Sequence, residues 1–244
     1  MKAVILAAGY ATRLYPLTKD QPKALLEVKR KKMIDYIVEE FETVDTINEI
    51  IVISNHKFFG HFSDWAKNLN CKIKITVLDD GTETEETRLG AIGDIYFTIQ
   101  KQNIDEDICV IASDNLFTYK LSDVYDYFKK ENTDCVVAKE IADYELLKSF
   151  AVAKIDEENV IVNLVEKPAE PPSNLAVYAT YFYKKETLPL FKQYLDEGNK
   201  PDAPGYFVQW LYKRKPVKTF IMDGVCYDIG TLKAYEEVNQ TFTK

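Results

Sequence analysis

Several features that mark common classes of protein are missing from this sequence. No apolar run approaches the ~18 residues that a membrane-spanning helix needs, so we expect no membrane partner. The formal net charge of −8 leaves no broad basic surface for the phosphates of a nucleic acid, and we expect no nucleic-acid partner. The run Lys29-Arg30-Lys31-Lys32 is a dense group of cations, but we interpret it as a solvated turn and not as a nucleic-acid or lipid site.

Cysteine and histidine are scarce as well. The four cysteines include no C-x-x-C pair, and we expect them to be buried free thiols in a reducing compartment. His56 and His61, the two histidines, are too few for a histidine-based metal site. The apolar stretch at residues 3–8 is short for a secretory signal, and Arg13 follows it closely. We interpret this stretch as the first core strand and predict a cytoplasmic protein.

The arrangement of apolar segments indicates the fold class. With 244 residues, 46% of them hydrophobic, the chain can form one large domain. Short apolar strands alternate with amphipathic helical stretches through the first half, which is typical of βαβ units on a parallel sheet. After residue 145 the strands follow one another closely and indicate a small β-rich annex. We predict a single α/β domain, Rossmann-like, with a doubly wound, mostly parallel sheet and two halves at residues 1–145 and 146–244.

The spacing of apolar residues also places the individual elements. Strands are predicted at residues 2–8, 49–54, 73–78, 108–113, 134–138, 150–155, 159–165 and 175–184. Helices are predicted at residues 33–43, 58–69, 89–101, 121–130 and 185–197, and a further helix is predicted to start near Thr231.

The stretch at residues 6–28, LAAGYATRLYPLTKDQPKALLEV, leaves the first predicted strand at the edge where open α/β sheets bind their ligands. Gly9 lets the backbone turn tightly and approach a ligand closely, while Arg13 and Lys23 supply positive charge. Two prolines stiffen the segment between these cations. We interpret the stretch as a polyphosphate-binding loop. The P-loop and dinucleotide-binding glycine patterns are both absent, which argues against an NAD-dependent oxidoreductase.

This loop resembles the G-x-G-T-R-L…P-K signature of the sugar-1-phosphate nucleotidyltransferases and is most similar to their glucose-1-phosphate thymidylyltransferase branch. The matching residues are Gly9-Tyr10-Ala11-Thr12-Arg13-Leu14 and Pro22-Lys23. The family motifs G-D-N, E-K-P, S-N-x-A-V and W-x-D-x-G-T have similar segments in the same order, namely Ser113-Asp114-Asn115, Glu166-Lys167-Pro168, Ser173-Asn174-Leu175-Ala176-Val177 and Tyr227-Asp228-Ile229-Gly230-Thr231. The resemblance therefore covers almost the whole chain.

The resemblance implies nucleotidyl transfer, in which the phosphate of a sugar 1-phosphate attacks the α-phosphorus of a nucleoside triphosphate and expels pyrophosphate. It implies three catalytic residues, Arg13, Lys23 and Asp114. Arg13 would clamp the β- and γ-phosphates, and Lys23 would neutralise charge at the α-phosphate. Asp114 and Asp228 would bind Mg²⁺, which takes one or two carboxylates together with phosphates and waters. Asp228 has the alternative of capping the helix predicted near Thr231.

The resemblance also divides the chain by substrate. Residues 1–145 would be the nucleotide-binding half, and residues 146–244 would hold the sugar-binding annex and the second metal ligand. The residues expected at the nucleotide are Leu6, Ala8, Gly9, Ala11, Thr12, Arg13, Lys23 and Arg88. The residues expected at the sugar 1-phosphate are Ala151, Glu166, Lys167 and Val177. Lys167 would hold the phosphate, and Glu166 would accept hydrogen bonds from sugar hydroxyls.

Two alanines and one segment depart from the family pattern. Ala11 and Ala151 stand where the family has glycines, and alanine permits close approach of a ligand if its φ is negative. The base-recognition segment at residues 78–90, LDDGTETEETRLG, lacks the family's usual glutamine and is closer in order to that of glucose-1-phosphate cytidylyltransferases. Arg88 in this segment either donates to the base or pairs with neighbouring glutamates. We favour dTTP and glucose 1-phosphate as substrates and keep CTP as the alternative nucleotide.

Two other functions remain as hypotheses. A non-catalytic sensor of nucleotides or sugar phosphates would explain the two alanines, but the charged motif residues are all present. A cytidylyltransferase for choline or another alcohol phosphate would use the same chemistry, but choline lacks hydroxyls for Glu166 to bind. The oligomeric state is open between monomer and dimer.

Overall fold

Strands and helices alternate along most of the chain in the computed structural model, which describes residues 1–243 except for the side chain of Asp228. The strands are β1 (Lys2–Leu6), β2 (Glu27–Val28), β3 (Lys31–Lys32), β4 (Glu49–Ser54), β5 (Lys74–Asp79), β6 (Ile108–Ala112), β7 (Asn115–Phe117), β8 (Asp134–Glu140), β9 (Ala151–Ile155), β10 (Ile161–Glu166), β11 (Leu175–Tyr183), β12 (Val217–Ile221) and β13 (Cys226–Asp228). The helices are α1 (Met33–Phe41), α2 (His56–Asn68), α3 (Ala91–Lys101), α4 (Leu121–Glu131), α5 (Tyr144–Leu147), α6 (Leu188–Asp196), α7 (Pro204–Leu211) and α8 (Leu232–Thr241).

The chain folds into two compact units, each assembled from segments that are distant in the sequence. Unit 1 comprises Met1–Leu89, Ile111–Ser122 and the segment from Gly224 on, and unit 2 comprises Gly90–Val110 and Asp123–Asp223. Units of this kind are defined by packing and not by independent folding. The single domain and its division at residue 145 therefore stay predictions.

The sheet of unit 1 places the loop after β1 beside the segment after β6. β1, β4 and β5 pair in parallel, with Lys2 opposite Glu49 in β4. β4 has the sequence EIIVIS and is buried along its whole length, as expected of a central strand with both faces covered. Ser113, which follows β6, donates its backbone N–H to the carbonyl of Leu6 at 3.0 Å. The two segments thus leave the sheet side by side at its carboxyl edge, where open α/β sheets bind ligands.

Two short antiparallel ribbons complete the strands of unit 1. β2 and β3 form a hairpin whose two central residues, Lys29 and Arg30, have φ of 52° and 68°, the pattern of a type I′ turn. Both residues are exposed, as predicted for a solvated turn, whereas Lys31 and Lys32 of the same run form β3 and are partly buried. β7 pairs with β13, and in this register Asn115 lies opposite Asp228.

The first residues of α8 show which residue caps this helix. The hydroxyl of Thr231 accepts a hydrogen bond from the backbone N–H of Ala234 at 3.2 Å, which makes Thr231 the residue that caps the helix. The predicted helix start near Thr231 is confirmed. The alternative in which Asp228 caps this helix is wrong, because the hydroxyl of Thr231 already fills that role.

Unit 2 contains the β-rich part of the chain. β8 pairs antiparallel with β11 and parallel with β12, and β9 pairs antiparallel with both β10 and β11. The predicted β-rich annex is therefore present, and β8 and β12 belong to it. α6 and α7 pack through stacked aromatic rings, with 3.9 Å between the ring centroids of Phe191 and Phe207. α7 was not predicted from the sequence, because its first residues, Pro204-Gly205, are a dipeptide typical of turns.

Cysteine burial departs from expectation at two positions. All four cysteines are free, and Cys109 and Cys135 are buried as predicted. Cys71 and Cys226 are only partly buried, because the first lies in the loop before β5 and the second starts a two-stranded ribbon. Among residues 1–243, no helix is both long and apolar enough to cross a membrane. The cytoplasmic location stays a prediction.

Candidate active site

Ala11, and not Gly9, takes the strained backbone conformation in the loop after β1. Ala11 has φ 48° and ψ 41°, in the left-handed region, so the negative φ under which an alanine permits close approach of a ligand is not present there. Its carbonyl accepts hydrogen bonds from the Thr18 hydroxyl at 2.8 Å and from the Leu14 backbone N–H at 3.0 Å, and these bonds hold the conformation. A Cβ built on Gly9 would meet no atom within 4 Å. The loop therefore leaves open space for a ligand above Gly9.

Replacing Ala11 with glycine should stabilise the protein. The left-handed conformation costs an alanine roughly 1–2 kcal/mol, and glycine removes that strain at the cost of roughly 0.4–1 kcal/mol of unfolded-state entropy. We expect the free energy of unfolding, measured by urea denaturation, to rise by about 0.5–1 kcal/mol. Ala7→Gly, at a buried position after β1, is the matched control and should lower this free energy. Equal losses in both variants would contradict the account.

Lys23 and Asp114, two of the predicted catalytic residues, meet in the structure. Lys23 opens the 3-10 turn Lys23–Leu25, and Asp114 lies between β6 and β7. The Nζ of Lys23 donates a hydrogen bond to Oδ2 of Asp114 at 2.9 Å. The Lys23 side chain is 12% exposed and that of Asp114 is 38% exposed. A shielded cation thus stands beside a carboxylate that faces solvent, an arrangement suited to a charged ligand, because shielding from water strengthens electrostatic contacts.

Arg13 lies beside the motif that contains Asp228. A Cβ built on Gly230 would lie 3.8 Å from both terminal nitrogens of the Arg13 guanidinium, an ordinary contact distance, and Arg13 is exposed. The backbone of Asp228 pairs with that of Asn115, the residue after Asp114. Three motifs that are distant in the sequence therefore come together in unit 1. The roles of their residues stay predictions.

The remaining residues of the predicted nucleotide site in this loop are held by α2 and β1. Asn55 caps α2 by accepting from the Phe58 backbone N–H at 3.0 Å, and its Nδ2 donates to the carbonyl of Ala8 at 2.9 Å. Leu6 is the last residue of β1, and Thr12 is exposed in the following turn. Asn55 was not predicted from the sequence. An asparagine between a strand and a helix is a cap signal that could have found it.

The segment at residues 78–90, predicted to recognise the base, is anchored at its start and exposed near its end. Asp80 is buried, and its Oδ1 accepts hydrogen bonds from the backbone N–H and the hydroxyl of Thr82, both at 2.7 Å. Tyr10, from the loop after β1, donates to the carbonyl of Thr82 at 3.1 Å, so the two loops are joined. Arg88 pairs with Glu85 at 3.1 Å and its side chain is 45% exposed, which agrees with one of its two predicted arrangements. Its contact with a base stays a prediction.

His56 and Asp79 form a pH-sensitive contact at the base of this segment. The ring nitrogen Nδ1 of His56 lies 2.6 Å from Oδ2 of Asp79, and this hydrogen bond and the carboxylate charge raise the pKa of His56 above its ordinary 6.5. Oδ1 of Asp79 accepts from the Gly81 backbone N–H at 2.8 Å. Because the folded-state pKa is raised, the stabilisation from this pair is complete below the unfolded-state pKa and is lost as the pH rises through the folded-state value.

An NMR titration tests this contact. We expect Asp79→Asn to lower the pKa of His56, because the substitution removes the negative charge that favours the protonated ring. His61, the chain's other histidine, is the internal reference. A His56 titration that is the same in the wild-type protein and in Asp79→Asn would contradict the contact.

Three of the predicted sugar-site residues lie in one row across three strands of unit 2. Ala151 in β9 is opposite Glu166 in β10 and Val177 in β11. Ala151 and Val177 are each 4% exposed, and Ala151 does not have a positive φ, in line with the expectation for this alanine. Lys167 follows β10 with φ 47° and donates its backbone N–H to the carbonyl of Phe150 at 3.0 Å. The four residues therefore form one group within unit 2, and their contact with a sugar stays a prediction.

Glu166 is partly buried in this group. Burial raises the pKa of its carboxyl group, and the positive charge of Lys167 opposes that rise. The backbone N–H of Glu166 donates to Oε1 of Gln209 on α7 at 2.9 Å. Gln209 was not predicted from the sequence, because α7 was not predicted and no local pattern relates this residue to β10.

The Asp114 carboxylate is one of the two predicted ligands of a divalent cation, and its oxygens are of the kind that such an ion takes. Among the side chains that the structure describes, no group of three or more His, Cys, Asp or Glu residues is placed to hold a metal ion. A single carboxylate, 38% exposed as in Asp114, fits Mg²⁺, since this ion takes its other ligands from phosphates and waters. The side chain of Asp228, the predicted second ligand, lies outside the described residues.

The structure is that of an α/β protein with a parallel sheet and a charged loop at the carboxyl edge of that sheet. In this class of protein, the loops at the strand ends form the ligand-binding site. The sequence model of the Nucleotidyl transferase family matches residues 2–244, and the chain belongs to this family. The predicted family resemblance is therefore confirmed.

Individual relatives show how much of a known protein the chain covers. A protein of Sulfolobus acidocaldarius with the provisional name of mannose-1-phosphate guanyltransferase is 28% identical over an alignment of 246 positions, which covers 98% of this chain and 62% of that protein. The bifunctional protein GlmU of Methanocaldococcus jannaschii is 29% identical over an alignment of 232 positions, which covers 94% of this chain and 51% of that protein. The chain thus spans between half and two thirds of the length of these relatives.

The fold is also shared with a solved structure. The crystal structure of a UDP-glucose pyrophosphorylase complexed with UDP-glucose has a TM-score of 0.84 and 24% sequence identity, and the match covers 98% of this chain and 97% of that chain. This likeness confirms the predicted α/β fold with a mostly parallel central sheet.

Proposed function

We propose that the protein transfers a nucleotidyl group from a nucleoside triphosphate to a hexose 1-phosphate and releases pyrophosphate. The observation that carries the proposal is the contact of Lys23 with Asp114 at 2.9 Å, which joins two charged motifs at the carboxyl edge of a parallel sheet. Membership of the Nucleotidyl transferase family over residues 2–244 supports the reaction class.

The proposed reaction needs positioning and charge neutralisation more than it needs a protein nucleophile, because both substrates are anions. An oxygen of the sugar phosphate forms a bond to the α-phosphorus, the bond from that phosphorus to the bridging oxygen breaks, and pyrophosphate leaves with the electron pair. Lys23 would donate hydrogen bonds to the α-phosphate oxygens as their charge develops. Arg13 would bind the β- and γ-phosphates through the paired donors of its guanidinium.

Asp114 and Asp228 are the proposed residues for holding Mg²⁺. When bound, this ion would neutralise phosphate charge and fix the orientation of the triphosphate. Because Lys23 donates to Asp114, the proposed contact for the α-phosphate and the proposed metal ligand are positioned by one interaction.

The sugar 1-phosphate would be bound by the group in unit 2. Lys167, exposed at the end of β10, would bind the phosphate of the sugar, and the Glu166 carboxylate would accept hydrogen bonds from sugar hydroxyls. Ala151 and Val177 are buried beside Glu166 and would present a small surface to the sugar ring. Aliphatic side chains here leave hydroxyl recognition to Glu166.

The preferred substrates are proposed to be dTTP and glucose 1-phosphate, because the loop after β1 is most similar to that of the thymidylyltransferase branch. CTP is the second candidate. The segment at residues 78–90 favours it, since this segment lacks the usual glutamine and is closer in order to that of the cytidylyltransferases, and the guanidinium of Arg88 would donate to an acceptor on the base.

A substrate grid tests the proposal. Pyrophosphate release is measured with Mg²⁺ for dTTP, UTP, CTP, ATP and GTP, each with the 1-phosphates of glucose, galactose, mannose and N-acetylglucosamine. Asp228→Ala is the control and should be inactive with every pair. We expect the highest rate with dTTP and glucose 1-phosphate, and a higher rate with CTP would support the second candidate. No turnover by a folded protein that binds nucleotide would contradict the proposal and favour a sensor.

A further inference from the structure

Helix α7 contacts Glu166 through two residues that lie one turn apart. Oε1 of Gln209 accepts a hydrogen bond from the Glu166 backbone N–H at 2.9 Å. A Cβ built on Gly205 would overlap Oε2 of Glu166 and would lie 3.0 Å from its Cδ and 2.8 Å from the Cβ of Ala151. Residues i and i+4 share one face of a helix. One face of α7 therefore contacts both the backbone and the carboxylate of Glu166.

Lack of space, and not backbone conformation, explains the glycine at position 205. Its φ lies outside the left-handed region, so other residues could adopt this backbone. The carboxylate of Glu166 occupies the volume that a side chain at this position would need. A side chain at 205 would therefore have to displace either Glu166 or the helix.

The Glu166 carboxylate, packed against Gly205, has hydrogen-bond acceptor atoms available for a ligand. Apart from the pairing of β10 with β9, the hydrogen bond that Glu166 makes in the described part of the chain is donated by its backbone N–H, and its carboxylate takes no part in it. An ionised carboxylate has two oxygens and about four lone-pair sites for hydroxyl donors. Its position against Gly205 and Ala151 thus decides which hydroxyl groups it can reach.

We propose that Gly205 and Gln209 are positioning residues that set the place of the Glu166 carboxylate and thereby determine which sugar 1-phosphates fit. The inference rests on the proposed function, because it assigns Glu166 to the sugar hydroxyls. A methyl group at position 205 would displace the carboxylate, and a shift of about 1 Å in a substrate-positioning group can cost on the order of 10²-fold in rate.

Gly205→Ala is the direct test. We expect kcat/KM for the sugar 1-phosphate to fall by about 10–100-fold, while KM for the nucleoside triphosphate stays at the wild-type value. Gly60→Ala is the matched control, because a Cβ at this position in α2 would meet no atom within 4 Å, and its kinetics should equal those of the wild-type protein. A wild-type kcat/KM in Gly205→Ala would overturn the inference.

A double-mutant cycle separates this contact from a general effect on folding. In a Glu166→Asp background the shorter side chain no longer fills the volume at position 205, so Gly205→Ala should have little further effect. An equal loss in both backgrounds would overturn the inference. Gln209→Met keeps the size of the side chain and removes the acceptor for Glu166, so it should lower kcat/KM for the sugar 1-phosphate even if Gly205→Ala fails to fold.

An NMR titration of the Glu166 carboxyl carbon tests the same contact without turnover. Burial raises the pKa of Glu166, and a carboxylate displaced into solvent by Gly205→Ala should titrate at lower pH. Glu166→Gln assigns the resonance. If the wild-type protein is inactive on every substrate pair, the proposed function fails, and the titration still decides whether Gly205 positions the carboxylate. An unchanged titration in Gly205→Ala would overturn that positioning role.

Discussion

Lys23→Met should reduce kcat for pyrophosphate release by about 10³-fold, the loss typical of removing one donor that stabilises transition-state charge. The Lys23 side chain is 12% exposed, and its Nζ lies 2.9 Å from Oδ2 of Asp114. Methionine keeps much of the length of the side chain but provides no charge and no donor. Because the lost interaction strengthens in the transition state, kcat should fall more than the affinity for the nucleotide.

The matched control for this substitution is Lys19→Met. Lys19 lies in the same loop and is exposed, so its loss should leave kcat close to the wild-type value. Steady-state kinetics with the best substrate pair would measure both variants. Full activity of Lys23→Met would contradict the role of this lysine, and equal losses in both variants would show only that the loop needs its positive charge.

Asp114→Asn should lower kcat/KM by about 10²–10⁴-fold, which corresponds to the several kcal/mol that metal-assisted charge stabilisation supplies. Asparagine has the same shape as aspartate but carries no charge. The variant weakens the hold on a divalent cation, so the Mg²⁺ concentration that gives half of the maximal rate should rise. It also removes the ionised acceptor for Lys23, which would leave the ammonium less well positioned.

Asp20→Asn is the control for this second prediction, because Asp20 is an exposed aspartate in the loop after β1. This substitution should leave kcat/KM and the Mg²⁺ response at their wild-type values. A Mg²⁺ titration of the rate separates the two effects of Asp114→Asn. An unchanged Mg²⁺ response together with a large loss of rate would assign Asp114 to positioning Lys23 and not to the metal. A double variant of Lys23 and Asp114 should lose less than the two single losses combined, because the residues act as one unit.

Local patterns were sufficient to predict the parallel strands β1, β4 and β5 of unit 1 and the motifs of the candidate site, but not the four short strands of its two ribbons. The run EIIVIS is apolar over its length and forms the buried strand β4, because a parallel sheet covered on both faces selects such runs. Lys23 and Asp114 were predicted from motifs 91 positions apart, and they meet at 2.9 Å. The charge and spacing of the motifs were informative because each motif follows a strand of the same sheet.

The conformation of Ala11 and the contacts of α7 could not be predicted from local sequence patterns. The left-handed φ of Ala11 is held by the hydroxyl of Thr18, seven residues along the chain, and a preference for negative φ in alanine predicts the opposite. Gly205 and Gln209 become meaningful only when α7 packs against the end of β10. Tertiary contacts of this kind override the turn preference of a Pro-Gly dipeptide.

The most direct measurement of the central claim is the fate of radiolabelled nucleoside triphosphate with the best substrate pair of the grid. With the label in the α-phosphate, we expect it to appear in a nucleotide sugar, and only when the sugar 1-phosphate is present. With the label in the γ-phosphate, we expect it to appear in pyrophosphate. Release of the γ-label as inorganic phosphate, or no transfer of the α-label to the sugar phosphate, would contradict nucleotidyl transfer by this protein.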